Sequence, residues 1–473
     1  MSNSRTALVW LRNDLRVADN PALLAATRSA ETVTALYIHE TDTGLRPIGG
    51  AARWWLHQSL ERFEETLAGL GIRLIVREGL AGEVLRATLA ELGADQVHWN
   101  RRYGPAEREI DSAIKADLRD RGVEALSHTG NLLAEPWSIK NGQGKPYSVF
   151  TPFWKTLRDV PVAPPLPAPH AMGKVISAEG ADREYTEPHW AGKLHAHWDI
   201  GEDAAGQRLA EFLDEMVADY PEARDIPARD GTSRLSPHLR FGEISARQIW
   251  HSSRLKADMQ PDLAGGIDKF LSELAWRDFS YSQLYHREDI AQVPMQQRFG
   301  ALTWRMAPGD LERWQRGQTG FPIIDAGMRE MWETGYMHNR VRMLVASLLT
   351  KNLQIDWRLG EAWFWDCLVD ADIANNAASW QWVAGSGLDA APYFRIFNPV
   401  TQGEKFDATG NYVRKWVPEL SRLPDKWVQK PFAAPSAVLS EAGVLLGKTY
   451  PLPVVDLGLS RQRALDGFAR LGE

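Results

Sequence analysis

The chain has 473 residues, 44% hydrophobic and 24% charged, which is too long for one small core and ordinary for a globular protein of two or more domains. A net charge of −7 excludes a chain coated in positive charge to hold nucleic acid, though a local basic face stays compatible with it. A single cysteine, Cys367, excludes a disulfide framework and a cysteine-rich zinc site. No run of about 18 apolar residues is present to span a membrane, and MSNSRTALVW carries no cleavable-signal pattern, so a cytoplasmic protein is expected.

Short apolar runs alternate with helical ones in the first part of the chain. ALVWLR (7–12), TVTALYIHE (32–40), RLIVRE (73–78) and QVHWNRRY (96–103) read as strands, and RWWLHQSLERFEETLAGLG (53–71) and GEVLRATLAELG (82–93) as helices ending at glycine. That alternation predicts an α/β, doubly wound parallel-sheet domain over residues 1–130. After the first strand, LRNDLRVADNPAL contains no glycine to let backbone approach a pyrophosphate, so a dinucleotide in this sheet is not expected. Residues 131–202 read as an interdomain linker, with the proline-rich VPVAPPLPAPH inside it. His195 and His197 form an HxH there, but no further ligands join them and no metal is expected. From 203 to 473 the pattern is helical throughout and predicts an all-α domain.

Four segments of the second half combine residue types that are costly to bury without a purpose. In DGTSRLSPHLRFGEIS (230–245), Thr232, Ser233 and Ser236 surround Arg234, and Ser236-Pro237 reads as an N-cap followed by a first-turn proline. Such a helix start is either a phosphate cradle or an ordinary capped helix. In ELAWRDF, Glu273, Trp276 and Arg277 fall at i, i+3 and i+4 on one helix face, either gripping a polar aromatic ligand or forming a Glu–Arg surface pair beside a half-buried Trp. In MHNRVRM, Asn339, Arg342 and Met343 share a face and Arg340 points off it. In LVDADIANNAASWQW, Asp372, Asn376 and Trp380 line up at i, i+4 and i+8 behind Asp370. Two carboxylates, an amide and an indole along one line need partners, from a structural network or from a ligand with ring nitrogens and hydroxyls. HExxH, GxSxG and P-loop patterns are absent.

These segments, with LVWLRNDLR near the start and APYFRIFNPVTQGEKFD (391–407), resemble the photolyase/cryptochrome family from about residue 6 to residue 465. RWWLHQSL and SPHLRFGEIS are similar to plant cryptochromes and the bacterial class III photolyases. The resemblance implies an N-terminal α/β domain, a linker and a helical domain that binds FAD. It implies that Tyr220, Thr232, Ser233, Arg234, Leu235 and Ser236 contact the FAD diphosphate and ribityl chain. It gives Arg277, Asn339, Arg342, Asp370 and Asp372 the isoalloxazine and the rest of the cofactor, and sets Asn376 opposite flavin N5. An amide there can hydrogen-bond to a protonated N5 without adding charge. Lesion contacts map by resemblance onto Arg224, Glu273, Trp276, Arg340, Met343 and Trp382, and an electron relay onto Trp380, Trp357 and Trp304.

The activity so implied is light-driven repair of cyclobutane pyrimidine dimers in UV-damaged DNA by electron transfer from reduced FAD to a flipped-out dimer. Photolyases are among the enzymes that take their base out of the duplex. Plant cryptochromes carry Asp at the Asn376 position and lose the aromatics of Trp276 and Trp382, while (6-4) photolyases carry His around Asn339 and Met343. These differences favour dimer repair over a blue-light receptor or a (6-4) enzyme. For the antenna, Glu107 matches a folate-contacting carboxylate, but Ala106 stands where its Asn neighbour belongs and the family's lysine contact has no counterpart around 286–293. The class III resemblance implies 5,10-methenyltetrahydrofolate held by a different set of residues, in a monomeric enzyme.

Overall fold

The computed structural model describes residues 5–178, 180, 182 and 184–471. β1 (Thr6–Leu11), β2 (Thr32–Glu40), β3 (Arg73–Gly79), β4 (Gln96–Asn100) and β5 (Glu124–His128) form one parallel sheet in the order β3-β2-β1-β4-β5. The central β1, TALVWL, is buried from Ala7 to Leu11, which is why it reads as a continuous apolar run rather than an alternation. α1 (Pro21–Ser29), α2 (Gly50–Gly69), α3 (Ala81–Leu92) and α4 (Pro105–Asp120) alternate with the strands. The four expected strands are present, the fourth ending at Asn100 instead of Tyr103. β5, EALSH, is a fifth that its mixed sequence does not announce. Strand order reverses between β1 and β4, and in a doubly wound sheet that reversal opens a crevice at the carboxyl ends of the strands.

The described chain gathers into two compact units. The first combines the residues up to Ala218 with Ser233–Glu288, and the second combines Asp219–Thr232 with the residues from Asp289 onward. This division runs across the boundary expected at residue 202, because the helices Ser236–Phe241, Ala246–Met259 and Ala264–His286 pack with the α/β residues. The LRNDLR segment is the fastener. Arg16 is 1% exposed, and its guanidinium donates to the carbonyls of Asp19 (2.7 Å), Gly130 (2.7 Å) and Gly242 (2.9 Å). Asp19 in turn accepts from Arg247 at 2.6 and 3.1 Å and from the Ser245 hydroxyl at 2.5 Å. Gly242 sits at φ +71°, and a Cβ there would lie 2.1 Å from the Asn13 carbonyl oxygen, so only glycine closes this junction. α5 (Phe150–Asp159) lies inside the expected linker and packs on the Ala264–His286 helix.

The second unit is helical, built around Trp314, Leu344, Trp357, Phe364 and Trp380. Its helices Pro322–Thr334, Asn339–Ser347, Trp357–Cys367 and Ile373–Ala384 carry the polar residues of interest, and a π-helical turn, Leu348–Asn352, follows the second of them. Among the described residues no helix is long and apolar enough to cross a membrane.

Candidate active site

In the second unit, functional side chains project from helix starts. His338 caps the Asn339–Ser347 helix, its Nδ1 accepting from the Arg340 N–H at 3.2 Å. Burial lowers its pKa to about 4, so the ring is neutral with its proton on Nε2. Arg342, one turn on, donates from Nε to the Met337 carbonyl (2.7 Å) and from Nη2 to Asp370 (2.9 Å). Burial opposes the guanidinium charge, and Asp370 outweighs it and raises the pKa. Arg340 points elsewhere, as the spacing predicts: it meets Asp225 at 2.6 Å and lies 4.4 Å over the Phe406 ring. Arg224 lies 5.7 Å over the Tyr220 ring. Asn339 is exposed and Thr232 half-buried, while Met343 and Trp382 are half-buried against the hydrophobic core.

The expected line Asp372–Asn376–Trp380 is formed, with a division of labour. Asp372 is the N-cap of Ile373–Ala384, accepting from the Ala374 and Asn375 N–H groups at 3.0 and 2.8 Å. Asn376 donates its Nδ2 to the Glu361 carbonyl (3.0 Å) and to Glu361 Oε1 (2.7 Å). Two acceptors on one side fix which end of the amide carries the hydrogens. Oδ1 receives no hydrogen bond from a described residue and is presented as an acceptor. Trp380, 2% exposed, meets Phe364 edge-on at 5.0 Å. Its ring rests on Gly360, where a Cβ would come within 2.1 Å. Gly360 lies one turn from Trp357 in the same helix; Trp357 is buried and Trp304 half-buried.

In the first unit, Glu273, Trp276 and Arg277 share the Ala264–His286 helix, and its two charged groups are drawn in different directions. Glu273 accepts from Lys269 Nζ at 2.7 Å, and Arg277 turns to Asn131, donating to its carbonyl at 2.7 Å and to its Oδ1. The neighbouring Asp278 accepts from the Leu133 and Ala134 N–H groups at 2.8 and 3.2 Å, and burial raises its pKa to about 6. Trp276 is half-buried and stacks on Phe150. Arg234 adopts φ +51° with its guanidinium 4.4 Å over Trp198, and the Ser233 carbonyl accepts from Arg208 at 2.9 Å. Ser236 is the first helical residue rather than the N-cap; that position falls to the buried Leu235, whose side chain has no oxygen to cap with.

At the sheet's reversal point the first unit holds a cavity of about 1190 Å³, lined by Arg12, His39, Glu40, Arg102, Glu107 and Asp182 among others. Arg102 binds Glu40 at 2.8 and 3.0 Å and Asp111 at 2.7 Å. Arg12, 5% exposed, reaches Asp111 at 3.3 Å through Nη2, and its Nε and Nη1 have no partner among the described residues. Asp182 accepts from Arg53 (2.9 Å) and meets His39 (2.9 Å) and His57 (3.0 Å). Burial would raise the pKa of Asp182, but these bonds hold it below the usual carboxylate range. Glu107 caps α4, its carboxylate accepting from the Gly104 N–H at 2.9 Å. His195 meets Glu187 at 2.9 Å. Sequence reasoning gave no site role to Arg12, Arg102, Asp182 or Glu361, although Arg12 lies in LRNDLR and Arg102 in QVHWNRRY.

Residues 7–170 match the family model described as DNA photolyase, and residues 270–470 the model described as FAD binding domain of DNA photolyase. A deoxyribodipyrimidine photo-lyase of Agrobacterium fabrum is 48% identical over 469 residues, covering 98% of this chain and 97% of that protein. Cryptochrome-1 of Arabidopsis thaliana is 34% identical, over 98% of this chain and 70% of its own length. Among solved structures, a bacterial class III photolyase from Agrobacterium tumefaciens superposes with a TM-score of 0.94 at 45% identity, covering 100% of this chain and 98% of that one. Sheet order, helical unit and sequence relationships agree: the chain belongs to the photolyase/cryptochrome family.

Proposed function

We propose that the protein is a light-driven deoxyribodipyrimidine photo-lyase that repairs cyclobutane pyrimidine dimers in DNA with FAD as its cofactor. The observation that carries this reading is the amide of Asn376. Glu361 takes both of its donor bonds, so the side chain offers an uncharged acceptor oxygen, the group suited to a flavin ring nitrogen that bears hydrogen. The Agrobacterium fabrum relative, similar along nearly the whole of both chains, supports repair over signalling.

The donor set fits FAD. A half-buried Arg342–Asp370 pair, the Asp372 cap and the Asn376 amide offer the mixed donors and acceptors that an isoalloxazine edge and sugar hydroxyls require. Arg277 and Asn339 would complete that group, and Tyr220, Thr232, Ser233, Arg234, Leu235 and Ser236 would hold the diphosphate and ribityl chain. When bound, FAD supplies light absorption and the electron that opens the dimer. The chain's own residues supply position and electrostatics. Trp276 and Trp382 would each offer a flat apolar face to a flipped base pair, Met343 would be a further lesion contact, and Glu273 would be the hydrogen-bond or proton partner of the dimer. Arg224 and Arg340 meet phosphate or lesion from a basic rim, Arg340 exchanging its contact with Asp225 to do so. Trp380, Trp357 and Trp304 would relay electrons that restore the reduced cofactor.

The cavity at the sheet's reversal point would take the antenna, for which the family resemblance favours 5,10-methenyltetrahydrofolate. Arg12, Arg53 and Arg102 on its lining suit a ligand rich in carbonyl or carboxylate acceptors. We read the enzyme as a cytoplasmic monomer. Illuminating the purified protein with DNA carrying either a cyclobutane dimer or a (6-4) photoproduct tests the function: light-dependent loss of the first alone is expected. Loss of neither lesion rejects repair in favour of a receptor, and loss of the second alone rejects the lesion assignment.

A further inference from the structure

Phe150 opens α5, and its ring lies 3.8 Å from that of Trp276, at 10° between planes. This is a face-to-face stack, and both partners belong to the first unit. Phe150 is itself fixed: it is 8% exposed and meets Phe279 edge-on at 5.8 Å, while Phe279 meets Trp276 at 5.6 Å and Phe153 at 5.2 Å. One face of the Trp276 indole is therefore closed by a rigid aromatic block, and the ring is only half-buried. A tryptophan on a helix surface otherwise samples several rotamers, and a ligand that needs one of them must first select it.

We infer that Phe150 is a positioning residue for the lesion: it fixes the plane of Trp276 so that the indole's remaining surface is a preformed stacking platform for the flipped dimer. The inference rests on the reading of Trp276 as a lesion contact. The chemistry needed is a flat, apolar, neutral ring, which leucine of similar bulk does not provide and tyrosine does.

The test is a double-mutant cycle on the FAD-loaded protein, reading dark binding of an oligonucleotide with one cyclobutane dimer against the same sequence undamaged. Phe150→Leu is expected to weaken binding to the dimer about threefold to tenfold, the range for ordering one side chain, with binding to undamaged DNA and FAD content unchanged. Phe150→Tyr restores the affinity. In a Trp276→Ala background, Phe150→Leu costs nothing further, whereas a merely structural role would still show its loss. Full dimer affinity in Phe150→Leu, with Trp276→Ala impaired, overturns the inference alone. Full affinity in Trp276→Ala overturns the lesion reading of Trp276 and the inference with it.

Discussion

Replacing Asp278 with asparagine gives a sharp electrostatic prediction. The carboxylate is 2% exposed, accepts two backbone N–H groups from the 133–134 segment, and leaves Oδ2 without a partner among the described residues. Burial raises its pKa from 3.8 to about 6 against the opposing pull of Arg277 and the two N–H groups. A carboxyl that titrates higher when folded makes the native state hold its proton more tightly. Its contribution is therefore most favourable at low pH, declines as pH rises toward 6, and is flat above. The full cost of ionising it is about 3 kcal/mol, of which roughly 1.4 kcal/mol develops between pH 5 and 7.5. The substituted amide would keep an acceptor oxygen for both N–H groups and would not titrate. Urea unfolding of the FAD-loaded wild type and of Asp278→Asn at the two pH values isolates the term, because every other titrating group cancels in the difference. The stability gap should shift by about 1.4 kcal/mol in favour of the variant on going to pH 7.5. A gap that does not change with pH refutes the reasoning.

Lys351 is 1% exposed, 3.6 Å over the Tyr393 ring, with the Tyr393 carbonyl 3.3 Å away, and burial lowers its pKa to about 7. Because its folded pKa is depressed, the charged form costs most below pH 7. Lys351→Met should therefore gain about 1.4 kcal/mol more stability at pH 6 than at pH 8, read by the same unfolding assay. Trp380→Phe removes an oxidisable indole from a ring seat on Gly360 and should slow flavin photoreduction while costing about 1–3 kcal/mol of stability. Transient absorption of the holoprotein checks the rate, and an unchanged rate shows that another route dominates.

The central strand β1 was legible because it is buried from Ala7 to Leu11 and those residues are an uninterrupted apolar run; EALSH was not, because its burial is partial and its residues follow no period. The helical line Asp372–Asn376–Trp380 was legible for the same kind of reason, since i, i+4 spacing is local. What sequence could not supply was the choice among competing partners. Glu273 has Arg277 four residues after it and Lys269 four before, and the structure pairs it with Lys269 while Asn131, more than a hundred residues away, occupies Arg277. The orientation of the Asn376 amide depends on Glu361 in another helix, and the Asp182 cluster draws on His39 of β2 and Arg53 and His57 of α2, all more than a hundred residues before it. Long-range partners leave no periodic mark.

The Arg16 fastener bears on how the chain folds during its synthesis. Two of its acceptors, the carbonyls of Asp19 and Gly130, leave the ribosome with the α/β sheet, but the third belongs to Gly242. The first unit as a whole is complete only at Glu288. At typical elongation rates the stretch from Gly130 to Gly242 takes about 6–22 s to appear. Throughout that interval a nascent sheet stands with a buried-type arginine short of one acceptor and with no Arg247 for Asp19. The native junction of the N-terminal sheet can therefore close only after the 242–247 turn has been translated.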